Sequence, residues 1–150
     1  NTLFNTVFTL DSDFAILPHY FRNTLETNDP TMTFKVTLVD NFNPLLILHL
    51  KSPGGIALPS RRQAADDQIR SHMVAESAKC PIKTLHGISA FGTQLRFYHT
   101  TTKQVTPPTA SGVPPIHHWD CDLLDAEGEP RFRAVCEEIM EEWASNDAHP

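Results

Sequence analysis

His49 and Lys51 are the two side chains in this sequence whose types and spacing most suggest chemistry. They stand two residues apart at the end of the run Leu45-Leu-Ile-Leu-His-Leu-Lys51. Side chains two apart on a strand project from the same face. The run is apolar on both faces until its last three residues, as a central strand would be, and Ser52-Pro53-Gly54-Gly55 ends it abruptly. A polar pair at such a strand end would place reactive groups at the edge of a sheet. An imidazole there can bind a metal or act as a base, because its ordinary pKa lies near neutrality. The competing reading is that both side chains simply reach water where the strand leaves the core, and spacing alone favours it.

Other candidates are weaker. His117-His118-Trp119-Asp120 could suggest a metal site, but adjacent side chains diverge in extended backbone, so a surface turn before an anchoring Trp is expected. No other histidine has a partner four residues away, and a single strand histidine such as His86 reads as a hydrogen-bonded structural residue. Arg61, Arg62 and Arg70 could form a local basic patch for phosphate. The alternative is a solvated helix face with Asp66 and Asp67 as ion-pair partners. The sequence contains no G-x-S-x-G, no C-x-x-C and no glycine-rich phosphate loop.

The elements that must position these residues follow from period and breakers. Phe34, Val36 and Leu38 alternate with Lys35, Thr37 and Val39, which marks a half-buried strand from Thr33. Asp40-Asn41-Phe42-Asn43-Pro44 is the turn into Leu45–Lys51. Ser60 is expected to cap a helix over Arg61–Ala78, with Ala65, Ile69 and Met73 as its buried stripe. Thr84–Ala90 and Gln94–His99 read as a hairpin joined at Phe91-Gly92-Thr93, and Thr100–Pro115 as an extended connector. Glu129–Trp143 reads as a closing helix that buries Phe132, Val135, Ile139 and Trp143. Upstream, the chain reads as an entry strand or loop followed by a short helix over Phe14–Leu25, with Asn28-Asp29-Pro30 as a turn.

At 150 residues one domain spanning 1–150 is expected. Three widely spaced cysteines, Cys80, Cys121 and Cys136, argue against a disulfide framework and for an intracellular, cytoplasmic or nuclear, location. No apolar run approaches the roughly 20 residues that span a membrane, and Asn1–Leu10 lacks the basic start and apolar stretch of a signal peptide. A start on Asn rather than Met fits a chain trimmed at, or continuing beyond, its N-terminus. The net charge of -6 gives no general attraction to phosphate backbones, so nucleic-acid binding would require a local basic patch.

Several of these stretches together resemble a known family. Pro44-Leu-Leu-Ile-Leu-His-Leu-Lys-Ser-Pro53 is similar to the E-x-K strand of the PD-(D/E)XK nuclease superfamily, and more narrowly to a fungal, basidiomycete-type group within it. Ala64-Ala-Asp-Asp-Gln-Ile-Arg70, Leu85-His-Gly-Ile-Ser-Ala-Phe-Gly-Thr93 and Trp119-Asp-Cys-Asp-Leu-Leu124 fit the same group in order. The resemblance implies a restriction-endonuclease-like α/β fold, a mixed β-sheet flanked by α-helices. It also implies a metal-dependent endonuclease that hydrolyses phosphodiester bonds in DNA or RNA. In that chemistry an Asp and the Glu of E-x-K hold a Mg²⁺-type ion through hard oxygens. The metal polarises the phosphate and helps form hydroxide, and the Lys supplies positive charge near the attacking water. A polar residue on the following helix, here Gln68, can assist.

Both acids depart from the pattern. The Glu is His49, a nitrogen ligand that suits Zn²⁺ or another transition metal better than Mg²⁺, so the implied divalent metal is left as Mg²⁺, Mn²⁺ or Zn²⁺. Asp40 lies nine residues before His49, yet a turn over 41–44 pairs it beside Leu45 and sets His49 opposite Val36. At about 3.3 Å per residue that leaves Asp40 roughly 13 Å along the strand. The family's "D-F" corresponds to Thr33-Phe34, so Thr33 stands for the Asp, and Asp29 or Glu26 would have to compensate. The expected catalytic set is therefore His49, Lys51 and Gln68, with His49, Asp40 and Asp29 as candidate metal ligands. The alternative is a catalytically inactive nuclease-fold module that binds protein or nucleic acid.

Overall fold

The computed structural model describes residues 2–9, 12–21, 31–102 and 104–147. Within them a short helix α1 (Thr2–Val7) leads into three strands, β1 (Phe14–Phe21), β2 (Thr31–Leu38) and β3 (Pro44–Lys51). A 3₁₀ turn at Pro53–Ala57 precedes helix α2 (Pro59–Glu76). Strands β4 (His86–Phe91), β5 (Gln94–Thr101), β6 (Gln104–Thr106) and β7 (Cys121–Asp122) follow, and helix α3 (Gly128–Asp147) closes the chain. The sheet runs in the order β1-β2-β3-β4-β5-β6, with β7 also paired to β5. All pairs are antiparallel except β3 with β4, which is parallel. A parallel pair needs a crossover, and α2 supplies it.

Helices cover both faces of this sheet. On one face α1 and α3 pack Phe4, Phe132, Cys136 and Ile139 onto Phe34, Val36, Leu46, Ile88 and Leu95. On the other, α2 sets Ala65, Ile69 and Met73 over Ile47, Leu85, Tyr98, Phe91 and Trp119. Each fully buried aliphatic side chain contributes about 1.5–3 kcal/mol. The three α2 residues are all at 0% exposure, so the expected stripe is the seam of that layer. Strand β3 lies between the layers, with Leu45, Leu46 and Ile47 fully buried, as its two-sided apolar run requires.

Three expectations are corrected. Phe14–Phe21 is an edge strand paired with β2, not the start of a helix over Phe14–Leu25, whose residues 22–25 lie outside the described residues. An edge strand tolerates Pro18, which a helix interior would not, because a missing N–H costs little at a sheet edge. The stretch taken as a strand or loop holds α1, where Phe4 meets Phe132 with ring centroids 5.3 Å apart. The helix after Pro59 is capped at Leu58 without a side-chain bond, so Ser60 lies inside it and Pro59 takes the first-turn position proline favours.

The β2–β3 register also differs from the simple count. The ladder closes at Leu38 N–H to Asn43 O, 3.2 Å, and is irregular between Val36 and Thr37. His49 consequently pairs with Thr33 rather than Val36. Among the described residues no helix is long and apolar enough to cross a membrane.

Candidate functional site

Strand alternation turns Ile47, His49 and Lys51 toward α2. Across from His49 stand Thr33 on β2 and Ser89 on β4, and Arg96 on β5 lies across from Ser89. The sheet thus presents α2 with a face that is polar from β2 to β5.

Helix α2 answers this with three stripes at four-residue spacing, each on one helical face. Ala65, Ile69 and Met73 form the apolar stripe. Gln68, His72 and Glu76 form a second, and each meets a sheet residue. Lys51 Nζ donates to Gln68 Oε1 at 2.8 Å, His49 Nε2 and His72 Nδ1 share a hydrogen at 2.8 Å, and Lys35 Nζ lies 3.7 Å from Glu76. Arg62, Asp66 and Arg70 form the third. Asp66 accepts from Tyr98 Oη at 2.8 Å, Arg96 Nη1 at 3.0 Å and Arg70 Nε at 2.9 Å.

Lys51 is buried and its ammonium also donates to Thr31 Oγ1 at 2.6 Å. Buried charge requires such bonds, since desolvation otherwise disfavours it strongly. His49 is buried too, and its pKa falls to about 3, first through burial, then through His72, Lys51 and Lys35. The ring is therefore neutral near pH 7. Its Nδ1 is buried and has no hydrogen-bond partner among the described residues.

The structure thus brings His49, Lys51 and Gln68 together, with Thr33 directly across from His49. It does not bring Asp40 to them. Asp40 is exposed in the turn after β2, and the five strand steps from Thr33 to Leu38 alone span roughly 17 Å at about 3.3 Å per residue. Asp29 and Glu26 lie outside the described residues. Among the described residues no group of three or more His, Cys, Asp or Glu side chains is arranged to hold a metal. The groups present are the imidazoles of His49 and His72, the hydroxyls of Thr31, Thr33 and Ser89, the Gln68 amide and the Lys51 ammonium, which has no lone pair to offer a metal. That set does not fit a hard Mg²⁺-type ion, which needs carboxylate oxygens.

Arg62 and Arg70 do not form a patch open to phosphate; Asp66 pairs with Arg70, as the alternative reading has it, but on a buried rather than a solvated face. Arg62 is buried and donates to the carbonyls of Pro114 and Ile56 at 2.8 and 2.7 Å. Arg70 binds Asp66 and the Pro107 carbonyl. These arginines tie the 100–115 connector to α2 instead of facing solvent. Asp67 does sit on the outer face, where Gln63 reaches it at 3.0 Å. His117 and His118 lie in a 3₁₀ turn before Trp119, whose indole N–H donates to Ser89 Oγ at 3.3 Å.

His72, Thr31 and the Tyr98 and Arg96 partners of Asp66 are not singled out by residue type or motif. The available signal was the four-residue step: Gln68 to His72, and Arg62 to Asp66 to Arg70.

No protein-family model, no curated protein and no solved structure matches this chain.

Proposed function

We propose that this chain is a PD-(D/E)XK-like, restriction-endonuclease-like domain that does not cleave phosphodiester bonds and acts as an interaction module. The observation that carries this reading is the pairing of His49 with Thr33. These are the two positions where the family resemblance asks for metal-holding acids, and a neutral imidazole and a hydroxyl meet there. Lys51 is spent on the α2–sheet joint through Thr31 and Gln68. A mixed sheet built on the β2–β3 and β4–β5 hairpins, with helices on both faces, is compatible with the restriction-endonuclease-like expectation. Arg62 and Arg70 are committed to internal carbonyls and Asp66, which favours a protein partner over nucleic acid. An intracellular setting goes with three cysteines that form no disulfide.

The test is direct. Single- and double-stranded DNA and RNA are incubated with the protein in Mg²⁺, Mn²⁺ or Zn²⁺, beside Lys51→Ala. Wild type and variant should both leave every substrate intact. Cleavage by wild type that Lys51→Ala abolishes would overturn the reading and make the chain a metal-dependent endonuclease.

A further inference from the structure

A second feature lies at the other end of the β2–β3 hairpin from His49 and Lys51. There a depression of about 410 Å³ is lined by Asp13, Val39, Asp40, Asn41 and Trp143, among others. Its wall is the β2–β3 turn, and hydrogen bonds hold that turn. Val39 N–H donates to Asp13 O at 2.9 Å, Phe42 N–H to Leu38 O at 2.9 Å, and Asn43 N–H to Asn41 Oδ1 at 3.0 Å. Trp143 Nε1 donates to Asp13 Oδ2 at 3.5 Å, so helix α3 and the start of β1 meet at its floor.

The turn displays apolar surface that internal packing does not explain. Phe42 is 61% exposed and Val39 49%. Phe42 also has φ of 57°, a left-handed conformation that bulky aromatic residues rarely adopt. Phe42 and Val39 thus leave two apolar side chains exposed on one turn beside the depression.

We propose that this depression takes an arginine side chain of a partner protein, with an apolar neighbour of that arginine resting on Val39 and Phe42. An indole beside two carboxylates suits a guanidinium, which is planar, weakly hydrated, stacks on aromatic rings and pairs with carboxylates. The net charge of -6 attracts a basic partner before contact. The fixed turn lowers the ordering cost of binding. The site stands apart from Lys51 and does not depend on whether that site cleaves.

The experiment is a ¹H–¹⁵N NMR titration of the full chain with a blocked Leu-Arg-Leu peptide, against Leu-citrulline-Leu and Leu-Lys-Leu. Saturable shifts are expected at the Asp40, Asn41 and Phe42 amides and the Trp143 indole. Affinity should fall about fivefold or more for the citrulline peptide and in Asp40→Asn, the worth of one exposed charge or cation–π contact. Asp40 is exposed, so its variant keeps the fold. No saturable shifts at these positions, equal binding of the citrulline or lysine peptide, or indifference to Asp40→Asn would each overturn the proposal.

Discussion

His49 shows how a residue of catalytic type becomes part of a packed joint. Its pKa is lowered from 6.5 to about 3, so the folded state holds it neutral while the unfolded chain protonates it below about pH 6.5. Its contribution to stability is therefore complete above pH 6.5 and is lost as pH falls toward 3. The loss is up to about 1.4 kcal/mol per pH unit for each such histidine. His86, lowered to about 4 by burial and then His99, adds in the same direction. Urea unfolding between pH 7.5 and 4.5 should show stability falling below pH 6.5, and His49→Gln should remove about one proton's share of that slope. An unchanged slope in the variant would mean His49 is not held neutral. The sequence made His49, Lys51 and Gln68 legible as a group, since strand alternation and the next helix fix their faces. His72 was not legible, because its contact depends on how α2 rotates over the sheet, 23 residues away along the chain.

Among the elements, α2 decides how the sheet's polar face is buried. Its apolar stripe was readable from Ala65, Ile69 and Met73. Its flanks were not, because Asp66 and Arg70 have the composition of a solvated face and are instead closed over by β5 and the 100–115 connector. Asp66, whose side chain is 2% exposed, faces Arg70 and Arg96 as ion pairs. Asp66→Asn leaves two cations without their carboxylate, and breaking a buried pair from one side costs about 3–5 kcal/mol. Asp67→Asn, one residue on and outward, should stay within about 0.5 kcal/mol of wild type. Equilibrium urea unfolding of both variants separates the two positions, and equal small effects would contradict a buried cluster. Strand β1 was misread because a continuous apolar run has no period to distinguish strand from helix. Its place at the sheet edge, which makes Pro18 acceptable, is known only once β2 is placed.

At the scale of the molecule, one mixed sheet carries two separate features. The His49–Lys51 cluster lies at the end of β3 under α2, and the acidic, apolar turn lies at its beginning beside α3. The hairpin order and the helices of the second half followed from periodicity. The register that sets Thr33 against His49 did not, because a turn that closes at Leu38–Asn43 and an irregularity next to Thr37 cannot be counted from residue types. That register is what the functional reading rests on, since it decides which side chains would share a metal with His49. The most direct measurement is calorimetric titration of Mn²⁺ into the wild-type chain and into His49→Leu. Both proteins should behave alike, with no saturable one-to-one site. A one-to-one isotherm in wild type that His49→Leu abolishes would contradict it.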